Sequence, residues 1–197
     1  YLILNQLLLS TLIYDFEFDK AEKILNSSLL EVEKLTLEDG YPYDSGFELQ
    51  RADLEASYLE TLSQIFVSTK RYKEAIAVNE KIIESSIKIL SSNNEDYNGR
   101  NIDIVNMNNM EAFRYRNAYL QLFQIYNLVS DRGKQEELLK IIDKFCNVKH
   151  PISDCMFFFQ QRMLYAIQTG DLEIMKDSYD TMEIYYNKFT TNNLYIK

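Results

Sequence analysis

Proline and glycine are scarce in this chain, which has two prolines and five glycines among 197 residues. Average usage would give about 10 prolines and about 14 glycines in a chain of this length. Strand-rich folds need many tight turns and use these residues to make them, so the scarcity favours long helices. Hydrophobic residues make up 46% of the chain. That content and the length fit one packed domain or one repeat array.

Residues that carry catalysis, metal binding or phosphate binding are also poorly represented. His150 is the only histidine and lies beside Pro151, without the spacing of a metal site. Calcium-loop and glycine-rich phosphate-loop patterns are absent, and the carboxylate clusters fall in turns or on charged faces. With 21 basic and 30 acidic residues, the net charge is −9, which repels phosphate backbones. We therefore expect no catalytic residue, metal site, cofactor or direct nucleic-acid contact in this segment.

The sequence alone does not determine the cellular compartment of the protein. Cys146 and Cys155 could pair across the loop that contains Pro151, or could remain two incidental reduced cysteines. The apolar segment over residues 1–14 is too short and too often interrupted by polar residues to predict a membrane span. The chain begins at Tyr1, which predicts a piece of a longer protein, either cytoplasmic or periplasmic.

Apolar residues at three- and four-residue steps predict an all-α fold of four antiparallel helix pairs. The predicted helices cover residues 2–14, 18–37, 47–69, 72–90, 110–129, 135–146, 153–169 and 172–189. We expect the helix pairs 1–37, 47–90, 110–146 and 153–189 to form one array over residues 1–197. In the last helix the predicted inward stripe is Leu172, Met175, Tyr179, Met182 and Tyr186.

Bulky, small and aromatic residues recur at matching places in these pairs. The clearest set is Leu59, Leu62, Phe66, Tyr72 and Ala75, and looser sets are Phe18 and Ala21, then Tyr119, Leu122 and Tyr126, then Gly170, Leu172 and Tyr179. On these residues the chain resembles the tetratricopeptide repeat family, which implies a right-handed α-α superhelix. Ser63 and Phe123 replace the family's glycine, and Gln135 and Met175 replace its small residue. The small positions lie 54, 60 and 40 residues apart, against a period of about 34.

The resemblance implies a concave groove lined by the first helix of each pair. Carried over residue by residue, the groove positions are Gln6, Ser10, Tyr14, Ser57, Glu60, Gln64, Asn117, Gln124, Asn127, Gln160, Leu164 and Gln168. Most are amides or hydroxyls, which suit the alternating donors and acceptors of an extended peptide. These positions also fit the ordinary solvent-facing side of amphipathic helices.

Two functions are consistent with these observations. The first is a non-enzymatic module that binds a peptide or protein segment within a larger bacterial regulator of signal transduction or transcription. The alternative is the extracytoplasmic input domain of a two-component sensor histidine kinase, which works through helix shifts or contacts within a homodimer. Both rest on analogy with the sensing regions of bacterial regulators.

Overall fold

The computed structural model describes residues 2–35, 47–92, 110–146 and 155–193, and within these ranges every regular element is an α-helix. The all-α prediction is therefore confirmed. The helices are α1 Leu2–Tyr14, α2 Phe18–Lys34, α3 Phe47–Ser68, α4 Tyr72–Ser92, α5 Met110–Leu128, α6 Arg132–Ile142, α7 Cys155–Thr169 and α8 Leu172–Asn193. The segment between the second and third predicted helices lies outside the described residues, as do most of the segment before α5 and the start predicted for α7.

The largest difference from the predicted boundaries is in α6. This helix begins at Arg132 rather than Gln135 because the Asp131 side chain caps it, accepting the backbone N–H of Lys134 at 3.1 Å. It ends at Ile142, and residues 143–145 form a turn instead of a last helical turn.

The chain divides into two compact units, residues 1–100 and residues 101–197. In the first unit α1 packs against α2, α2 against α3, and α3 against α4. In the second unit α5 packs against both α6 and α7, and α7 packs against α8. Each unit thus contains two of the predicted helix pairs. One continuous array, and its superhelical hand, stay predictions.

The same tight turn joins the two helices of every pair. One residue in each turn adopts the left-handed conformation, with φ of 59° at Phe16, 60° at Lys70, 58° at Ser130 and 75° at Gly170. The N–H of the following residue donates to a carbonyl five residues earlier, as from Arg71 to Phe66 at 2.7 Å and from Asp171 to Ala166 at 2.9 Å. These bonds are those of a Schellman motif, which ends one helix and turns the chain into the next.

Small residues allow the second pair to pack closely. Ala75 is 0% exposed and lies where α3 meets α4, as predicted. Beside it, the Nδ2 of Asn79 donates to the Oγ of Ser63 at 2.7 Å and to the carbonyl oxygen of Ala75 at 2.8 Å. Ser63 stands at the family's glycine position, and its hydroxyl makes this buried hydrogen bond across the two helices.

The second unit is held together by aromatic rings instead. Phe123 of α5 contacts Phe158 of α7 with ring centroids 5.4 Å apart, and Phe159 contacts Tyr185 of α8 at the same spacing. All four side chains are at most 1% exposed. Edge-to-face pairs of this kind favour one fixed arrangement of the helices.

The inward stripe predicted for α8 is wrong at its three largest members. Leu172, Tyr179 and Tyr186 are 72%, 59% and 62% exposed. The residues buried against the rest of the unit include Ser178, Thr181 and Tyr185. Ser178 is small enough for close packing, and the Tyr185 ring reaches Phe159, so these residues face inward although two of them are polar.

Replacement of Ala75 tests the predicted helix pairing. Ala75→Arg should lower the free energy of unfolding by roughly 3–5 kcal/mol, because it overpacks the contact and buries an unpaired charge. Ala77→Arg is the matched control. Ala77 is exposed and lies two residues further along α4, on roughly the opposite side of the helix from Ala75, so this variant should change stability by less than about 0.5 kcal/mol. Urea denaturation followed by circular dichroism measures both. Equal stability of the two variants would contradict the pairing.

The left-handed turn residues give a second test. Lys70→Gly and Ser130→Gly should each raise stability by about 0.5–1 kcal/mol, because a side chain at positive φ is strained and glycine is not. Gly170→Ala should lower stability by a similar amount. A methyl group there would have no neighbouring atom within 4 Å, so its cost comes from the backbone alone. The melting temperature should rise in Lys70→Gly and Ser130→Gly and fall in Gly170→Ala. A change in the same direction in all three variants would exclude strain at the left-handed residues as the cause.

Candidate functional site

A cavity of about 440 Å³ opens between α1 and α3. Its lining consists of Leu9, Ser10 and Ile13 from α1 and Ser57, Tyr58, Thr61 and Gln64 from α3. The volume lies in the range of sites that hold small molecules or short peptide segments. Both helices are the first of their pairs, which is where the resemblance placed a groove.

Apolar side chains form the base of this cavity. Leu9 and Tyr58 are 3% and 1% exposed, and Ile13 is half-buried one turn beyond Leu9. Because their carbon atoms are largely removed from water already, they give the cavity a fixed shape. Such an apolar base with polar groups along one side is typical of ligand sites.

The polar side of the cavity runs along α3. Ser57, Thr61 and Gln64 are spaced at four and three residues, so they lie in one row on that helix. The Thr61 hydroxyl donates to the carbonyl of Ser57 at 2.9 Å. The Ser57 hydroxyl and the Gln64 amide make no hydrogen bond to any residue within the described ranges. Both therefore have donor and acceptor atoms available to a ligand.

None of the seven lining residues carries a formal charge. A large pKa shift lies elsewhere among the described residues: burial raises the pKa of Tyr115 far above its ordinary range, and a hydrogen bond with Tyr119 adds to the shift. Neither tyrosine lines the cavity. The cavity therefore offers apolar contact and neutral hydrogen bonding, and has no acid–base pair of the kind that catalysis requires.

The structure brings together only part of the predicted groove in the first unit. Ser10, Ser57 and Gln64 line the cavity, whereas Tyr14 is 83% exposed at the end of α1 and outside it. Glu60 is half-buried and is not part of the lining. The side chain of Gln6 lies outside the described residues.

In the second unit Asn127 is the predicted groove residue with a clear structural role. It is 8% exposed, and its Nδ2 donates to the Oε1 of Gln161 at 3.1 Å, which links α5 to α7. One of its two N–H donors is therefore already engaged. Of the other predicted positions, Asn117 and Gln124 are half-buried, and Gln160, Leu164 and Gln168 are exposed.

The sequence did not indicate the apolar half of the cavity. By their sequence, Leu9 and Ile13 look like ordinary core residues of α1, and Tyr58 looks like an ordinary core residue of α3. The available signal was spacing, since Leu9 and Ile13 are four residues apart and bracket the predicted groove residue Ser10.

Cys146 and Cys155 form a disulfide, with Cα atoms 5.4 Å apart. Both are buried, and the bond ties the turn after α6 to the first residue of α7. His150 lies between them in the sequence but outside the described residues. A disulfide-bonded cysteine has no thiol, so neither residue is a nucleophile in this form.

In the parts of the chain that the structure describes, no group of three or more His, Cys, Asp or Glu residues could hold a metal ion. None of the helices described combines the length and the apolar character needed to cross a bilayer.

A scan of protein-family models found no match, and neither the curated proteins nor the solved structures include one that matches this chain.

Proposed function

We propose that this chain is a non-enzymatic binding module whose ligand is an extended peptide segment held between α1 and α3. The observation that carries the proposal is the uncharged cavity with an apolar base and a row of hydroxyl and amide groups on one side. Such a module fits the sensing or interaction part of a larger bacterial regulator, by the tetratricopeptide-like pattern of its helix pairs.

The spacing of the polar groups suits a peptide backbone. Ser57 and Gln64 are seven residues apart on one helix, which corresponds to about 10.5 Å along its axis. Three residues of an extended chain span about 10 Å. A hydroxyl at one end and an amide at the other can therefore bond to peptide groups three residues apart, while a ligand side chain enters the apolar base.

The chemistry of the lining favours a peptide over an anionic ligand. Carboxylates and phosphates are bound by Arg, Lys or backbone N–H groups at helix ends. The cavity has no basic side chain, and its lining residues lie within α1 and α3 rather than at their first turns. The net charge of −9 opposes anions further.

A displayed library of short linear peptides, selected on the intact chain, tests the proposal. Gln64→Ala should lower the affinity for the selected peptides about fivefold, the equivalent of one lost hydrogen bond of about 1 kcal/mol. Ser57→Trp should lower this affinity at least about tenfold, because the indole fills the cavity. Fluorescence anisotropy with a labelled peptide measures each affinity.

Ser27→Trp is the matched control, because Ser27 is exposed on α2 and does not line the cavity. It should bind the selected peptides as the unmodified chain does. Failure to select any peptide, or equal affinity for all three variants, would exclude the site. Because Gln64 is exposed, its replacement by alanine should leave the melting temperature unchanged. Weaker binding by this variant would then not result from loss of folding.

The disulfide favours a second candidate function, the extracytoplasmic input domain of a sensor kinase. Disulfides persist in oxidising compartments and are rare in the reducing cytosol. A sensor domain outside the cytosol would keep the Cys146–Cys155 bond during its working life.

Removal of this bond should have a measurable cost. Reduction, or the paired replacement Cys146→Ser with Cys155→Ser, should lower the free energy of unfolding by about 2–3 kcal/mol, since the bond closes a loop of nine residues. Urea denaturation with and without reductant measures the difference in the unmodified chain. The serine variant, which should not respond to reductant, is the control. Mass spectrometry of alkylated protein from the native cell tells which form exists there, and free thiols would contradict the second candidate.

A further inference from the structure

An apolar stripe lies on the exposed side of α8. It consists of Leu172, Met175, Tyr179, Met182 and Tyr186, and is called the α8 stripe below. Its spacings are three, four, three and four residues. Leu172, Tyr179 and Tyr186 are exposed, and the two methionines are half-buried at the edge that adjoins the rest of the unit.

This spacing is that of a coiled-coil seam, in which apolar residues alternate at steps of three and four. The face of α8 that packs on its own unit is a different one, marked by Ser178, Thr181 and Tyr185. The exposed members of the α8 stripe, Leu172, Tyr179 and Tyr186, are therefore outside that packing face. Single exposed apolar residues are common on protein surfaces, but a regular apolar row with three exposed members along one helix indicates a docking surface.

Two opposite charges flank the outer side of the α8 stripe. Lys176 follows Met175 and Glu183 follows Met182, so each takes the position next to a seam residue where coiled coils carry their interhelical ion pairs. Both side chains are exposed. Neither makes an ion pair with any residue that the structure describes.

These charges complement those of a second copy only when the two helices run in opposite directions. In the antiparallel register that places Tyr179 beside Met182 of the second copy, Met175 lies beside Tyr186 of that copy. In the same register Lys176 faces Glu183 of the second copy, and Glu183 faces its Lys176. One helix thus supplies both halves of two symmetric ion pairs, as a two-fold interface requires.

We propose that the α8 stripe is a homodimer interface, formed by antiparallel pairing of α8 with α8 of a second copy of this chain. The proposal does not depend on the peptide cavity, which lies in the other compact unit. In this register the paired part of the seam runs from Met175 to Tyr186, about 16.5 Å along the helix axis. One pair of helices that meet over this length buries a small surface area compared with stable protein interfaces. The dimer therefore forms reversibly and depends on concentration.

Sedimentation velocity of the unmodified chain over about a hundredfold range of concentration provides the first measurement. The weight-average mass should rise toward twice that of the 23.3 kDa chain. Tyr179→Glu should stay monomeric over the same range, because it places two charges in the seam. Ile184→Glu is the matched control: Ile184 is 40% exposed on the same helix but outside the α8 stripe, so this variant should still dimerise.

A charge exchange then tests the antiparallel register. Lys176→Glu and Glu183→Lys should each weaken self-association about tenfold, because like charges meet at both ion-pair positions. An equimolar mixture of the two variants should regain the unmodified affinity, since the mixed dimer restores both pairs.

Circular dichroism verifies that each variant is helical. A monomeric unmodified chain at every concentration, a dimer that survives Tyr179→Glu, or a mixture that fails to recover would each overturn the proposal.

Discussion

The tight turn between the two helices of each pair is the constraint on which the rest of the structure depends. It reverses the chain within three residues, so the second helix must return along the first. The left-handed residue and its hydrogen bonds fix the angle of return in the same way at Phe16, Lys70, Ser130 and Gly170. The residues five positions after these are Ala21, Ala75, Gln135 and Met175. In the first three pairs this residue is completely buried, so the turn determines where a small side chain is useful.

The pairs meet this constraint with different chemistry. Ala21 and Ala75 are completely buried and allow close approach. Gln135 is equally buried, although no described residue offers its amide a hydrogen bond. An unsatisfied buried amide costs about 1–3 kcal/mol, which the apolar and aromatic packing of the second unit must offset. Met175 remains half-buried, since Ser178 provides the small contact of α8 one turn later.

The helices and their turns could be predicted from the sequence because both are local. Periodic apolar residues act over a few residues, and the observed helices begin and end close to the predicted positions. The orientation of α8 could not be predicted from its sequence. Hydrophobicity alone would bury the face with Leu172, Tyr179 and Tyr186. The contact of Tyr185 with Phe159 of α7 instead turns the face with Ser178 and Tyr185 inward.

The predicted groove residues also show why the sequence alone did not locate the site. Gln64 and Asn127 are both amides on the first helix of a pair, yet Gln64 borders a cavity and Asn127 bonds to Gln161. The difference arises from the neighbouring first helix. α7 presents a glutamine to α5, whereas α1 presents Leu9 and Ile13 to α3 and leaves space above them. An amide at a repeat position therefore serves the fold where the neighbouring helix can pair with it, and is available to a ligand where that helix offers only apolar side chains. For this reason the site follows from the contacts between pairs, which no residue pattern within one pair contains.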